Sequence, residues 1–341
     1  MSRVQVSVVV PVYRSESSLR PLVARLLRVL GRTGLRHEVI LIEDGGGDGS
    51  WNVLRELQAD EHDRVVVIQL MRNYGQHNAL MCGFRHARGE YIVTMDDDLQ
   101  NPPEEIPKLL DAIQTGQYDL VYGTYCSKKH SLWRNAGSAL VNAFYRIVFK
   151  NAVTISSFRA IHRPLLESIF PYDLNFTFID GLLAWNTQRI GQVEVEHLPR
   201  AAGRSGYDPR KLIVLALNLF TNFSLLPLQI VSWCGLALSG CGFLLVLFYL
   251  VQSLRAQIIV PGYASTIIAI LVVGGTQLLA LGIIGEYLGR LHLNVNRKPQ
   301  YTVRAMLKGP SSDQSNTRKP APPQAARGRS YAEHGSDSQG R

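Results

Sequence analysis

Two long stretches without a single charge constrain this chain more than any other feature. No Asp, Glu, Lys or Arg occurs between Lys211 and Arg255, and none again between Arg255 and Glu286. Residues 228–251 and 265–285 within these gaps each reach the roughly 20 apolar residues that cross a bilayer. A core helix of a soluble protein rarely stays uncharged for so long. Pro261-Gly262 supplies a turn in the connecting loop (252–264), so a helical hairpin is expected. Arg200, Arg204, Arg210 and Lys211 precede it, and Arg290, Arg297, Lys298 and Arg304 follow it, while the loop offers only Arg255. Positive residues stay inside, so both termini are expected to be cytoplasmic and the chain to be a multi-pass inner-membrane protein.

The net charge of +9 raises the question of nucleic acid. The positive residues instead flank the spans and fill the tail, where anionic headgroups attract them. No aromatic-basic stripe accompanies them, so no nucleic-acid partner is expected. The four cysteines, Cys82, Cys126, Cys234 and Cys241, form no CxxC pair and signal neither a metal nor a disulfide. The N-terminal VQVSVVVPVY is strand-like and lacks a cleavage site, so no signal peptide is expected. Residues 309–341 are rich in Ser, Pro, Gln, Gly and Arg, the composition of a disordered tail.

Ahead of the spans, the first 125 residues alternate strand and helix. VQVSVVVPVY (4–13), HEVILIED (37–44), RVVVIQL (64–70), EYIVTM (90–95) and YDLVYGTY (118–125) read as strands buried on both faces. Helices are expected at 18–34, from a cap at Ser50 through WNVLRELQAD, and through NALMCGFRHA. This order predicts an α/β domain over 1–207, a mostly parallel sheet between helices with ligands at the strand C-termini. Beyond Tyr125 the expectations are a helix at 135–148, an extended 156–163, a helix over 177–191 and an antiparallel strand at 193–199. Residues 208–227 suit an amphipathic segment in the membrane interface, and 286–308 a cytoplasmic juxtamembrane segment.

The chemistry gathers at Asp96-Asp97-Asp98, which close the EYIVTM strand before LQNPPEE (99–105). Pro102-Pro103 stop the chain and a helix is expected to open at Glu104-Glu105. Like charges this close repel unless a cation neutralises them. Hard ions such as Mg²⁺ take one or two carboxylates, with water and substrate phosphates completing the shell. The second strand ends in EDGGGDGS (43–50), which fits neither a dinucleotide fingerprint nor a P-loop: position 50 is Ser where the third glycine belongs, and no Gly-Lys-Ser/Thr follows. Its glycines suit a tight turn. Asp44 stands at the strand tip, where a carboxylate can accept hydrogen bonds from a base N–H or a ribose hydroxyl.

In this order VVVPVYRSE (8–16), EDGGGDGS (43–50), RNYGQHNALMCGF (72–84) and MDDDLQNPPEE (95–105) resemble the family 2 glycosyltransferases of GT-A fold. RNAGS (134–138), SSFRAI (156–161), FIDGLL (178–183) and RAAGRSGYDPRKL (200–212) resemble their polyprenyl-phosphate branch, over roughly residues 4–304. The resemblance implies a nucleotide-sugar donor, a polyprenyl phosphate acceptor at the bilayer, Mg²⁺ or Mn²⁺, and inversion at the anomeric carbon. It leaves room for a homo-oligomer, dimer or tetramer. Carried over by position, Pro11, Tyr13, Asp44 and the main chain of Ile42 hold the nucleotide. Asp96, Asp98 and Gln100 hold the metal, and Asp97 stands beside sugar or ribose. Asp97, Asp98 and Arg159 form the catalytic set, while Arg134, Arg159, Arg204 and Ser205 meet the donor or acceptor phosphates. Two departures stand out. The acidic residue that the family places after Pro-x-Tyr-Asn falls on Ser15, with Glu16 one place later, and the usual Asp-Asp-Gly-Ser is Glu43-Asp44-Gly45-Gly46. Two other readings share parts of this pattern. A processive polysaccharide synthase carries Gln-x-x-Arg-Trp and more spans, whereas Trp133-Arg134 has the reverse order here. A membrane-anchored nucleotide-sugar sensor without turnover would carry a broken metal motif.

Overall fold

The computed structural model describes residues 4–125, 154–173, 177–198, 226–254, 263–295 and 299–309. The β-branched VSVVVPV forms β1 (Val6–Val12), every residue of it buried, as a central strand covered on both faces must be. α1 (Glu16–Arg32) follows, burying Leu19, Leu22, Val23, Leu26, Val29 and Leu30, a spacing that draws one apolar stripe along a helix. Next come β2 (His37–Glu43), α2 (Ser50–Asp60), β3 (Val65–Leu70), α3 (Gln76–His86) and β4 (Tyr91–Thr94). A single 3-10 turn at Pro103–Glu105 leads into α4 (Ile106–Gln114), then β5 (Leu120–Tyr125). β6 (Arg159–His162), α5 (Arg163–Ser168), α6 (Ile179–Asn186) and β7 (Ile190–Val195) complete this part of the chain.

With β8 (Val303–Leu307), which follows two further helices, the strands form one eight-stranded sheet in the order β7-β5-β6-β4-β1-β2-β3-β8. β4, β1, β2 and β3 are mutually parallel, while β6 runs antiparallel between β4 and β5. Helices α1, α2 and α4 pack on one face, and α3, α5 and α6 on the other. The chain leaves β1 towards β2 and β3, then returns to β4 on the opposite side of β1. The crevice at the C-terminal ends of β1 and β4 is therefore a topological switch point, where open sheets of this kind take ligands.

Several expectations change. The segment near 193–199 starts earlier, at Ile190, and pairs parallel to β5 rather than antiparallel. The helix expected over 177–191 covers only Ile179–Asn186, because Ile190 onward is already committed to the sheet. Ser50 is the first helical residue of α2 and not its cap: Gly49 holds the cap position, and Ser50 Oγ donates to Asp48 Oδ2 at 2.8 Å. The helix at 135–148, the interfacial segment up to residue 225 and the tail from 310 lie outside the described residues.

Two long helices follow, α7 (Leu226–Leu254) and α8 (Tyr263–Val295). At 1.5 Å per residue they extend about 43 and 50 Å, beyond a hydrocarbon core of about 30 Å. Among the described residues one stretch, Val272–Gly289 of α8, is long and apolar enough by composition to cross a membrane, and Leu228–Leu244 of α7 is a shorter apolar run. Among the described residues they expose large apolar side chains, with Trp233 70% and Leu278 72% exposed. After α8 the chain forms β8 (Val303–Leu307) inside what had been expected to be a juxtamembrane segment, and β8 pairs antiparallel with β3. The polypeptide thus returns, past its apolar helices, to the sheet it started from.

Candidate active site

At the switch point lies a cavity of about 290 Å³ walled by Pro11, Val12, Tyr13, Asp44, Asn73, Gly75, Gln76, Asp96, Asp97 and Asp98. Each wall comes from the C-terminal end of a parallel strand or from the loop that follows it, apart from Gln76, which opens α3. The β2 loop can close against the β3–α3 loop because residue 45 is glycine. Gly45 has φ +65°, and a Cβ there would strike the main chain of Arg72 and Asn73. Asp44 then receives the N–H groups of Tyr74 (2.7 Å) and Gly75 (2.8 Å), one on each carboxylate oxygen, and so holds the segment that leads into α3. Burial pushes its pKa up, against those two hydrogen bonds.

The three aspartates are held differently. Asp96 accepts from Ser157 Oγ at 2.6 Å and from Gln76 Nε2 at 2.7 Å. Asp97 accepts the Tyr13 N–H at 3.0 Å, while Asp98 accepts the Gln100 N–H at 3.1 Å. Burial raises Asp96, with the Asp98 charge adding to it, and raises Asp97 to about 6. The non-glycine residues with positive φ among those described, Arg14 (56°) and Leu99 (60°), immediately follow Tyr13 and Asp98. Such left-handed positions cost on the order of 1 kcal/mol or more, and they turn the chain sharply at both rims of the cavity.

Of the residues expected from the sequence, Pro11, Tyr13, Asp44, Asp96, Asp97 and Asp98 line this one cavity. Ile42 does not: it is fully buried in the core, paired with Pro11 on one side and Ile68 on the other. Gln100 stands just outside, its carbonyl accepting the Leu198 N–H at 2.9 Å. Arg159, expected at the phosphates, is 1% exposed. Its guanidinium is ion-paired with Asp180, and its Nε donates to Thr94 Oγ1 at 3.1 Å, beneath the aspartates rather than in the cavity. Its position one strand over, on β6, turns it into the layer below. Arg134, Arg204 and Ser205 lie outside the described residues. Of the two positions at the family's acidic site, Ser15 donates its hydroxyl to the Tyr13 carbonyl at 3.1 Å, whereas the carboxyl of Glu16 lies over Gly49 at the start of α2.

Sequence reasoning passed over Gln76, Ser157 and His197. The first two stand inside the quoted segments RNYGQHNALMCGF and SSFRAI, but which side chains face Asp96 depends on register. His197 follows β7, its ring 4.2 Å from that of Tyr125. Burial lowers its pKa while the charges of Asp98 and Asp96 oppose the shift, which sets it beside the acidic cluster. A histidine just past a strand end, on the edge where the aspartates stand, was the available signal.

The residues present fit a hard divalent cation. The donor set is all oxygen, and beyond burial the Asp98 charge helps to raise the pKa of Asp96 and of Asp97, so a cation relieves a repulsion already built into the site. Among the described residues no group of three or more His, Cys, Asp or Glu forms a cage. A Mg²⁺-type ion does not need one, since substrate phosphates supply part of its shell.

Parallel strands converging on an acidic cavity at a switch point, with an antiparallel strand wedged beside the acidic one, make a GT-A-like mixed α/β sheet with flanking helices. The profile of glycosyl transferase family 2 matches residues 7–170, and the chain belongs to that family. Over nearly its full length it is similar to proteins named undecaprenyl-phosphate 4-deoxy-4-formamido-L-arabinose transferase. That of Aeromonas hydrophila is 36% identical over 311 residues, covering 89% of this chain and 94% of the relative. The Proteus mirabilis protein is 35% identical over 318 residues, covering 91% and 97%. Among solved structures, glucosyl-3-phosphoglycerate synthase from Mycobacterium tuberculosis aligns at a TM-score of 0.48 and 19% identity, over 64% of this chain and 77% of that one.

Proposed function

We propose that this glycosyltransferase moves a sugar from a nucleotide-sugar donor, UDP-linked by preference, to undecaprenyl or another polyprenyl phosphate at the cytoplasmic face of the inner membrane. The product serves cell-envelope glycan assembly or lipid A modification. One observation carries the reading. The acidic cavity and the strand that follows the apolar helices belong to one sheet. The segment carrying the two long apolar helices is therefore joined to that sheet at both of its ends, which supports a catalytic domain held at a membrane surface. The full-length similarity to undecaprenyl-phosphate transferases supports the acceptor.

The donor's base and ribose lie against Pro11, Tyr13 and Asp44, and its diphosphate points towards Asp96 and Asp98. Mg²⁺ or Mn²⁺ held by Asp96, Asp98 and Gln100 would neutralise charge on the departing diphosphate. Asp97, fixed by the Tyr13 N–H, stands beside ribose or sugar. Arg134, Arg204 and Ser205 take the acceptor phosphate, where arginine forks suit a tetrahedral anion. That phosphate is already largely ionised near pH 7, so the protein needs no strong general base. Orientation and electrostatics carry the rate, by a single displacement with inversion.

The test is direct. Purified protein is incubated with polyprenyl phosphate, a panel of nucleotide sugars and Mg²⁺ or Mn²⁺, and the lipid product is weighed by mass spectrometry. A mass increase of one sugar residue is expected with one donor, abolished by EDTA and reduced at least a hundredfold in Asp98→Ala. Transfer to water or to a growing glycan, with the polyprenyl phosphate unchanged, would refute the acceptor. Full activity of Asp98→Ala in excess EDTA would refute the metal.

A further inference from the structure

Asp96 owes its orientation to an antiparallel strand. β6 pairs with β4 in a register that sets Thr94 opposite Arg159. Counting on past the end of the ladder, residue 95 faces 158 and Asp96 faces Ser157. The hydroxyl of Ser157 donates to Asp96 Oδ2 at 2.6 Å, while Gln76 Nε2 reaches Oδ1 from the start of α3 at 2.7 Å. The carboxylate is thereby gripped from two sides by groups on two different elements.

Ser157 is itself braced from below. Its carbonyl accepts Thr94 Oγ1 at 2.6 Å, and Thr94 Oγ1 accepts Arg159 Nε at 3.1 Å. The Arg159 guanidinium is ion-paired with Asp180, which also accepts Tyr122 OH at 2.8 Å. Arg159, Thr94, Tyr122 and Asp180 are all buried. A buried ion pair repays its desolvation only when its remaining hydrogen-bonding capacity is used, and here Thr94 and Tyr122 use it. The outcome is a stiff post under one carboxylate of the cavity.

We infer that Ser157 is a positioning residue that holds Asp96 in the orientation a divalent cation requires, with the Arg159–Asp180 pair as the strut that holds Ser157. The inference rests on the metal reading above. An outer partner that orients a ligating carboxylate typically accounts for about 10- to 100-fold in metal affinity when removed. Ser157 is a suitable lever because it contributes a hydroxyl and almost no packing volume, so its loss leaves the strut intact.

The experiment measures Mn²⁺ binding by paramagnetic resonance in the full-length protein with UDP present, alongside thermal melting and the metal dependence of sugar transfer. Ser157→Ala is expected to weaken Mn²⁺ about tenfold and to raise the half-saturating metal concentration by a similar factor. The rate at saturating metal should change less than threefold, and the melting temperature by no more than a degree or two. Ser157→Thr, which keeps the hydroxyl, should restore the affinity. Unchanged Mn²⁺ affinity in Ser157→Ala, beside wild-type protein that binds the ion, overturns the assignment of Ser157 alone. A loss of affinity that tracks a fall in melting temperature and is not rescued by threonine also overturns it. Wild-type protein that binds no Mn²⁺ overturns the metal reading and this inference with it.

Discussion

At the scale of single residues, Asp44 shows how a carboxylate can serve a ligand through the backbone. Both its oxygens are engaged by Tyr74 and Gly75 N–H groups, so it shapes the loop that carries Asn73 and Gly75 into the cavity wall. Asp44→Ala should therefore weaken nucleotide binding in detergent, without any lipid, by about ten- to a hundredfold, the size of a lost charged hydrogen bond. Arg204→Ala should leave that binding near normal and abolish transfer to polyprenyl phosphate; calorimetry with UDP and the lipid-product assay separate the two. The reverse pattern would move Arg204 to the donor side. A second residue sets an acid limit. His77 is packed edge-on against Phe178, and burial lowers its pKa to about 4. An unfolded chain takes that proton near pH 6.5, so between about 6.5 and 4 the unfolded state binds more protons than the folded one. Stability from this group is full above pH 6.5 and declines as the pH falls towards 4, by at most about 3 kcal/mol. Melting temperatures across that range should fall for the wild type and fall less steeply for His77→Gln. A parallel decline in both would assign the acid sensitivity to other groups. The acidic wall was legible in the sequence, because Asp96-Asp97-Asp98 end an apolar run and Asp44 ends another. Where Arg159 stands was not legible, since a motif arginine facing a cavity and one ion-paired beneath it have the same sequence. Only the Asp180 partner, 21 positions away, distinguishes them.

Among elements, the parallel core was legible from β-branched runs, but the edges of the sheet were not. Continuous burial reads out as apolar composition along β1 and β2. Edge strands such as β7 and β8 show mixed burial, half-buried and exposed residues alternating along Val303–Leu307, and so resemble ordinary juxtamembrane chain. β8 has consequences for the site. Thr302 O accepts the Met71 N–H at 2.9 Å, Arg304 donates to Met71 O at 3.1 Å, and Gln300 is buried against Thr177. Met71 immediately precedes the loop that bears Asn73 and Gly75. Ending the chain after Pro299 should uncover the β3 edge and loosen that loop. At about 1 kcal/mol per lost hydrogen bond, the melting temperature should drop by roughly 5 °C or more, with nucleotide affinity falling alongside. Membrane association should persist, since α7 and α8 remain. Wild-type melting and UDP binding in the truncated protein would show that β8 is only a passive edge.

On the scale of the whole molecule, the return of the chain through β8 constrains any arrangement in which α7 and α8 cross a bilayer, as proposed above. β1 to β7 precede the apolar helices and β8 follows them, yet all eight strands share one sheet. A sheet cannot straddle a membrane, because unpaired backbone groups in hydrocarbon are too costly, so both flanks of α7 and α8 must lie on one side. The proposed hairpin, two crossings with the loop outside, satisfies this, and the basic residues on both flanks agree with it. The prediction is made in a cysteine-free background, with single cysteines introduced at Arg255 and at Ser311. In intact cells a membrane-impermeant maleimide should label Arg255→Cys, while Ser311→Cys reacts only after permeabilisation. If Ser311→Cys reacted from outside while the N-terminal domain stayed protected, α7 and α8 would cross an odd number of times. β8 would then be unable to pair with β3 in the same subunit, and the tether between donor site and membrane would have to be rebuilt. If neither position reacted without permeabilisation, α7 and α8 would lie along the inner leaflet, and the acceptor phosphate would be reached from the surface rather than beside a span.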